Sequence, residues 1–310
     1  MDEPASLDAY LFYRHEREPS EEPTSRAVGQ VRSVPATDGY PLAVSVYEPA
    51  SPTTRVVVIA SATAVKRSYY AAFAAWLART GVRVVTFDYR GIGGSRPREL
   101  ASLEASLVDW GERDLSAVLA WAAKTYGDGK TDAVVHSVGG QLLGLVPDPS
   151  MVRHVVMVGS QSGDLRLWPA VTNRVLFGAL WYAVVPMIAS TLGYLPGSLG
   201  IGEDLPGGVA REWARWCRTP GYVVGGADGA ARREGYRRLG SPVLAFGFED
   251  DDYAPTAAVD ALLALYDHAR ITRRHVPASE HRVGHFGFFR ARFEHTLWRE
   301  AAAFLEQLPS

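Results

Sequence analysis

The chain has almost no cysteine and almost no lysine. Cys217 is the only thiol in 310 residues, so no disulfide can form within the chain, a reducing compartment suits it, and a cytoplasmic location is expected. Of the 32 basic residues only Lys66, Lys124 and Lys130 are lysine, a bias that fits a GC-rich bacterial genome better than a binding surface. Neither sign of charge is in excess. The formal net charge of −2 removes the global electrostatic case for nucleic acid or an anionic membrane as a partner. No basic stretch followed by an apolar run opens the sequence, so a secretory signal is not expected. No repeat recurs at solenoid periods.

One long segment lacks charge altogether. Residues 175–202 contain no Asp, Glu, Lys or Arg, which is long enough to resemble a membrane span. Pro186, Pro196 and several glycines interrupt it, and Ser190, Thr191 and Ser198 break its second half. A buried or substrate-facing cap is the better reading, with no stable membrane insertion.

What is present is ordinary globular material: 47% hydrophobic and 21% charged residues, enough chain for a substantial core. Residues 1–30 read as a tail, partly mobile because 16–26 is charged and proline-containing. Within it "LDAYLFY" (7–13) is an apolar segment with no assigned docking place. Residues 31–50 alternate around Asp38-Gly39, the pattern of an antiparallel hairpin. Short apolar runs at 55–62, 83–91, 131–136, 152–161 and 241–251, and the more polar segment 271–279, read as strands. Helical spacing falls between them, at 67–81, 105–127, 138–145 and 254–269, and closes the chain at 290–308. Strands alternating with helices predict an α/β fold with a mostly parallel, doubly wound sheet. Residues 162–240 break this rhythm with four tryptophans and with Pro-Gly turns such as those at 196–197 and 206–207. The expected division is therefore a core of 31–161 and 241–310, with 162–240 inserted as a mainly helical cap over the C-terminal sheet edge.

The stretch "TDAVVHSVGGQLLGL" (131–145) carries the chemistry. A hydroxyl is a poor nucleophile at neutral pH unless a base takes its proton and a carboxylate holds that base. A strand–Ser–helix turn lifts Ser137 above the sheet and places free helix N-terminal amides behind it. Gly139 and Gly140 let strand and helix approach closely. Ser137 is the expected nucleophile and the Val138 amide one half of an oxyanion hole. Downstream, "FEDDDYAP" ends a strand on the same edge, where Asp250, Asp251 and Asp252 compete as the acid; alternation beyond Phe248 and the turn into Pro255 favour Asp251. "VGHFGFF" follows the last strand and brings His285 to that edge. "GIGGSR" (91–96) has Arg96 in the third glycine position of a dinucleotide loop and no helix after it. His281 and His285 are four apart, but Gly284 and the absence of a carboxylate in His-Glu-x-x-His order argue against a zinc helix. Neither metal nor organic cofactor is expected.

In this order the blocks "DYRGIGGSRP", "HSVGGQLLGL", "DLPGGVAREWARWCR", "DDYAP" and "GHFGFFR" resemble the α/β-hydrolase superfamily, in particular its predicted-hydrolase branch near serine aminopeptidases and monoglyceride lipases. The resemblance runs from about residue 31 to 307. It implies a triad of Ser137, Asp251 and His285, with a second oxyanion amide in "SATAV" from Ala62 or, preferably, Thr63. Val135 departs from the pattern: it stands where the family's elbow has its first glycine, and a branched side chain there should crowd a strained turn. Trp168, Trp181 and Trp213 are the expected substrate contacts of the cap. The function implied is a serine hydrolase of the carboxylesterase or thioesterase kind, acting on a small-molecule ester or thioester with an apolar acyl part. Acyl transfer or cyclisation in a biosynthetic pathway is one alternative, and a non-catalytic ligand-binding protein the other. Oligomeric state, natural substrate and chain length are open at this level.

Overall fold

The computed structural model describes residues 29–307; "LDAYLFY" and nearly all of the expected tail lie outside them. Ten strands are present: β1 Gln30–Pro35, β2 Pro41–Tyr47, β3 Val56–Ala60, β4 Arg83–Phe87, β5 Thr131–His136, β6 Val152–Val158, β7 Tyr194–Leu195, β8 Leu205–Pro206, β9 Pro242–Phe248 and β10 Arg270–Val276. Eight of them form one sheet in the order β1-β2-β4-β3-β5-β6-β9-β10, while β7 and β8 pair separately. The hairpin β1–β2 is antiparallel, as is the junction of β2 with β4; every other pair in the eight-stranded sheet is parallel. The fold is α/β with a mostly parallel sheet, as the alternation of elements predicts.

The sheet buries two faces, which is why its central strands are continuous apolar runs rather than alternating ones. All five residues of β3 and all six of β5 are buried. Side chains of opposite parity enter two separate cores: Val56, Val58, Val135 and Met157 lie in one, while Val57, Ile59, Val134 and Val156 lie in the other. Helix Ala71–Arg79 and the C-terminal helix Leu297–Leu305 cover the second core through Phe73, Trp76 and Trp298. Residues 107–125 cover the first. They begin at a capping box in which Ser106 Oγ accepts from the Asp109 amide at 3.0 Å and the Asp109 carboxylate accepts from the Ser106 amide at 2.9 Å, satisfying donors that a helix start leaves open.

The loop after β4 is held by ions. Arg90 is buried between Asp114, reached by Nε at 2.8 Å, and Asp38, reached by Nη1 at 2.8 Å. Hydrogen bonds from Arg90 hold the Asp38 carboxyl well below the usual carboxylate range. Asp88 accepts from the Gly94 amide at 2.8 Å and also pairs with Arg67. A carboxylate thus occupies the centre of the glycine loop, where it would repel a dinucleotide phosphate.

Between β6 and β9 the chain builds a helical layer. Val171–Ala179, a π-type stretch Leu180–Val184 and Val185–Leu192 run end to end, and Gly207–Arg218 and Gly229–Arg237 follow. Trp181 and Trp213 lock the first and later helices together, with ring centroids 4.5 Å apart.

Candidate active site

β5 ends at His136, and Ser137 turns the chain into the helix Val138–Leu142. Ser137 takes φ 51° and ψ −114°, a conformation that costs about 1–3 kcal/mol for a residue with a Cβ. Close packing holds it there. A Cβ on Gly139 would come 2.9 Å from the Ala60 carbonyl oxygen, and one on Gly140 only 2.4 Å from Ser160 Oγ. No other residue fits at either place without moving the helix off the sheet. Tyr266 and Tyr236 then donate to the Gly140 and Gln141 carbonyls at 2.6 and 2.5 Å, giving partners to acceptors that so short a helix leaves open.

Val135 does not prevent the turn. It is fully buried in the sheet between Ala60 and Met157, and its Cγ2 lies 3.6 Å from where a Gly140 Cβ would stand. That distance is ordinary van der Waals contact, so the branched side chain packs within the sheet without crowding the turn.

Three side chains converge on Ser137's edge of the sheet. His285 Nε2 is 2.9 Å from Ser137 Oγ, and its Nδ1 is 2.8 Å from Asp251 Oδ2. All three residues are buried. The second oxygen of Asp251 accepts from the amides of Tyr253 at 2.9 Å and Ala254 at 3.0 Å, which fixes the carboxylate's plane. Its neighbours are placed otherwise. Asp250 Oδ1 accepts from the Gly284 amide at 3.0 Å, tying down the histidine loop, and the Asp252 carbonyl accepts from Trp168 Nε1 at 3.2 Å. Burial and the two adjacent carboxylates push the Asp252 carboxyl up.

The two loop positions open in sequence separate here. The Ala62 amide donates to Tyr70 Oη at 2.8 Å and is occupied. Thr63 follows it into the cavity that Ser137 and His285 also line. Ala64 has φ 59°, a left-handed residue held by its carbonyl's bond from the Glu203 amide at 2.9 Å. Val138, as the first residue of its helix, has no intrahelical acceptor for its amide.

His136 and Tyr70 carry no motif that singles them out in sequence. Tyr70 Oη, already accepting from Ala62, donates to His136 Nδ1 at 2.9 Å; His136 Nε2–H donates to the His285 carbonyl at 2.9 Å. One hydrogen-bonded chain therefore ties the loop at 62–63, the residue before Ser137 and the histidine loop. Burial, then the nearby His285, holds the His136 imidazole well below its ordinary pKa and therefore neutral, as this bonding pattern requires. The only sequence signal is a histidine ending an apolar strand, and its partners are 66 and 149 residues away.

The cavity above Ser137 measures about 410 Å³, within the usual range for small-molecule sites. Trp168, Trp181 and Trp213 all line it, with Leu176, Phe177 and Leu180 from the helical layer and Tyr253 and Phe286 from the loops beside His285. Among the described residues no Asp, Glu, Lys or Arg lines the cavity. Gln141 brings a neutral polar group, fixed by bonds from Tyr222 Oη at 2.8 Å and to the Gln161 carbonyl at 2.7 Å.

Residues 56–294 match the alpha/beta hydrolase family. The chain belongs to that family. No curated protein matches it. Among solved structures this hydrolase chain is similar to an esterase from Exiguobacterium antarcticum, with a TM-score of 0.60 at 15% identity, over 90% of this chain and 100% of the other. An alpha/beta hydrolase fold protein from Chitinophaga pinensis matches with a TM-score of 0.59 at 13% identity, over 92% and 100% of the two chains. A proline iminopeptidase from Mycobacterium smegmatis matches with a TM-score of 0.56 at 18% identity, over 90% and 98%. At such identities the likeness extends to the fold.

Proposed function

We propose that this alpha/beta hydrolase is a serine esterase or thioesterase for a neutral, apolar acyl group. The observation that carries the reading is the continuous chain Asp251–His285–Ser137 opening onto an aromatic cavity without a formal charge. Ser137 Oγ attacks the acyl carbonyl while His285 Nε2 takes its proton. Asp251 holds the proton on Nδ1 and stabilises the imidazolium. The Val138 and Thr63 amides receive the oxyanion, which develops as the carbonyl carbon becomes tetrahedral. Collapse expels the alcohol or thiol with the proton from His285. Water, deprotonated by the same imidazole, then releases the acid and restores the hydroxyl.

The lining supports one of the two activities that the sequence resemblance brackets. An enzyme that trims peptide N-termini must pair an α-ammonium, and leaving that charge unpaired in an apolar site costs several kcal/mol. Among the described residues no carboxylate lines this cavity. Tryptophan and leucine surfaces instead favour acyl chains, at about 0.8 kcal/mol per buried methylene. A panel of p-nitrophenyl and thiol esters from acetyl to dodecanoyl, run beside aminoacyl anilides, tests this. Hydrolysis should rise with acyl length to a maximum and be absent for the anilides. A folded protein inactive on every ester, or faster on the anilides, contradicts it.

A further inference from the structure

Among the described residues, seven of the eight large hydrophobic side chains left exposed lie between residues 171 and 199. They include Val175, Met187 and Tyr182, at 68%, 63% and 62% exposure. They cluster on Arg174–Leu192, a helical run long and apolar enough to cross a membrane, of whose apolar window only 22% is buried. The buried side of the run belongs to the cavity, through Leu176, Phe177, Leu180 and Trp181. A helix with one side built into an acyl site cannot also span a bilayer. Its other side is apolar and uncovered by any described residue, which in a soluble protein marks a contact surface.

Two features identify the partner. The exposed surface runs into the cavity without a polar break, because Val184 and Leu199 belong to both. The run is also flanked by arginines of the neighbouring helix Gly207–Arg218. Arg211 donates to the Ala189 carbonyl at 3.0 Å, and the Arg218 guanidinium lies 5.3 Å from the centre of the Tyr182 ring. Arg215 stands between them on the same helical face, paired with Glu212 at 2.7 Å. Over residues 162–240 nine arginines face six acidic residues, a balance of +3, so the rest of the chain carries −5 of the total of −2. An apolar face with a tyrosine and an arginine border is the composition that lies in an anionic lipid interface.

We propose that this face docks on the surface of an anionic phospholipid bilayer, lying on it rather than spanning it, so that acyl substrates pass from the lipid phase into the cavity by way of Val184 and Leu199. The docking stands on the surface itself; only the passage of substrate rests on the esterase reading.

The test is co-sedimentation of the full-length protein with vesicles of phosphatidylcholine containing phosphatidylglycerol, against vesicles of phosphatidylcholine alone. The double variant V175D/M187D places two carboxylates on the face without touching the cavity lining. The native protein should bind the mixed vesicles, and the variant should partition at least roughly tenfold less. Arg215→Gln should lower the dependence on phosphatidylglycerol by roughly fivefold, the effect of one interfacial charge. Fluorophosphonate labelling of Ser137 in the same samples reads the esterase site separately: V175D/M187D should label at the native rate in free solution. Native protein that stays in the supernatant, or a variant that binds as well as the native chain, overturns the proposal. So does a dimer in sedimentation velocity that V175D/M187D dissociates, which would give the face to a second copy of the chain.

Discussion

Strand β5 and the helical run Arg174–Leu192 are both apolar, yet they end in opposite environments. β5 is buried along its whole length, and every neighbour around it is constrained: glycines behind Ser137, tyrosines on the helix carbonyls, a histidine bonded at both ring nitrogens. The cap run is buried on one side only and presents valine, methionine and tyrosine outward. An apolar run therefore specifies that contact must be made, and not with what. In the core the contact sets the Ser137 hydroxyl within hydrogen-bond reach of His285. In the cap it shapes a cavity on one side and leaves a surface on the other.

The sharpest way to break this contrast is to remove the groups that the rigid region positions. Ser137→Ala should lower kcat/KM on the best ester by roughly 10⁴-fold or more, and Asp251→Asn by roughly 10³- to 10⁴-fold, with thermal unfolding little changed. Comparable activity in Asp251→Asn and a large loss in Asp250→Asn would move the acid to the neighbouring residue.

Next come changes to the packing beneath. Val135→Gly should cost about 3 kcal/mol of stability in denaturant titration while the folded fraction still reacts at Ser137. Gly140→Ala should cost about 1–3 kcal/mol and also slow that reaction, because its Cβ collides with Ser160 and the helix must shift. Equal effects of the two substitutions on reactivity would show that the turn is not held by the close approach.

His136→Phe breaks both bonds of the chain between Tyr70 and His285. It should lower kcat by roughly ten- to a hundredfold with KM nearly unchanged. Tyr70→Phe, which loses the bonds to Ala62 and His136 but keeps the ring, should act in the same direction. The sign of the pH effect is defined. A histidine whose folded pKa is depressed stabilises the fold above its unfolded value near 6.5, and that contribution is lost as pH falls through it. The native protein should lose stability below about pH 6.5 more steeply than His136→Phe does.

In the cap the effects are smaller and concern choice of substrate. Trp181→Ala should cost about tenfold in kcat/KM for long acyl esters and little for acetyl esters, read from the same chain-length panel. Met187→Ser, on the exposed side, should change stability by no more than about 0.5 kcal/mol.

What is legible in the sequence follows the same division. The order Ser137, Asp251, His285 can be read because Ser137 and Asp251 follow the apolar strands β5 and β9, His285 lies in the loop after the last strand, and strand ends in a parallel sheet share an edge. Asp251 can be favoured over its neighbours but not separated from them, since all three follow β9 directly. What distinguishes them is the turn in which Tyr253 and Ala254 fold back on one oxygen. The crowding expected from Val135 does not arise, because its side chain is taken up in the sheet core between Ala60 and Met157 and reaches the Gly140 position only at ordinary contact distance. The link from Tyr70 through His136 to His285 joins distant segments and has no periodicity to reveal it. Net charge conceals the cap's arginine border by averaging it against the rest of the chain. The π-type stretch Leu180–Val184 and the two-residue strands β7 and β8 carry no pattern longer than themselves.

The central claim is that one hydroxyl, at the end of β5, is made nucleophilic by the imidazole beside it. Treating the native protein with a fluorophosphonate and mapping the adduct tests this directly. The account predicts one modified peptide, containing Ser137, that is absent in Ser137→Ala and forms far more slowly in His285→Ala. Folded protein that takes no label, or takes it on another serine, would contradict it.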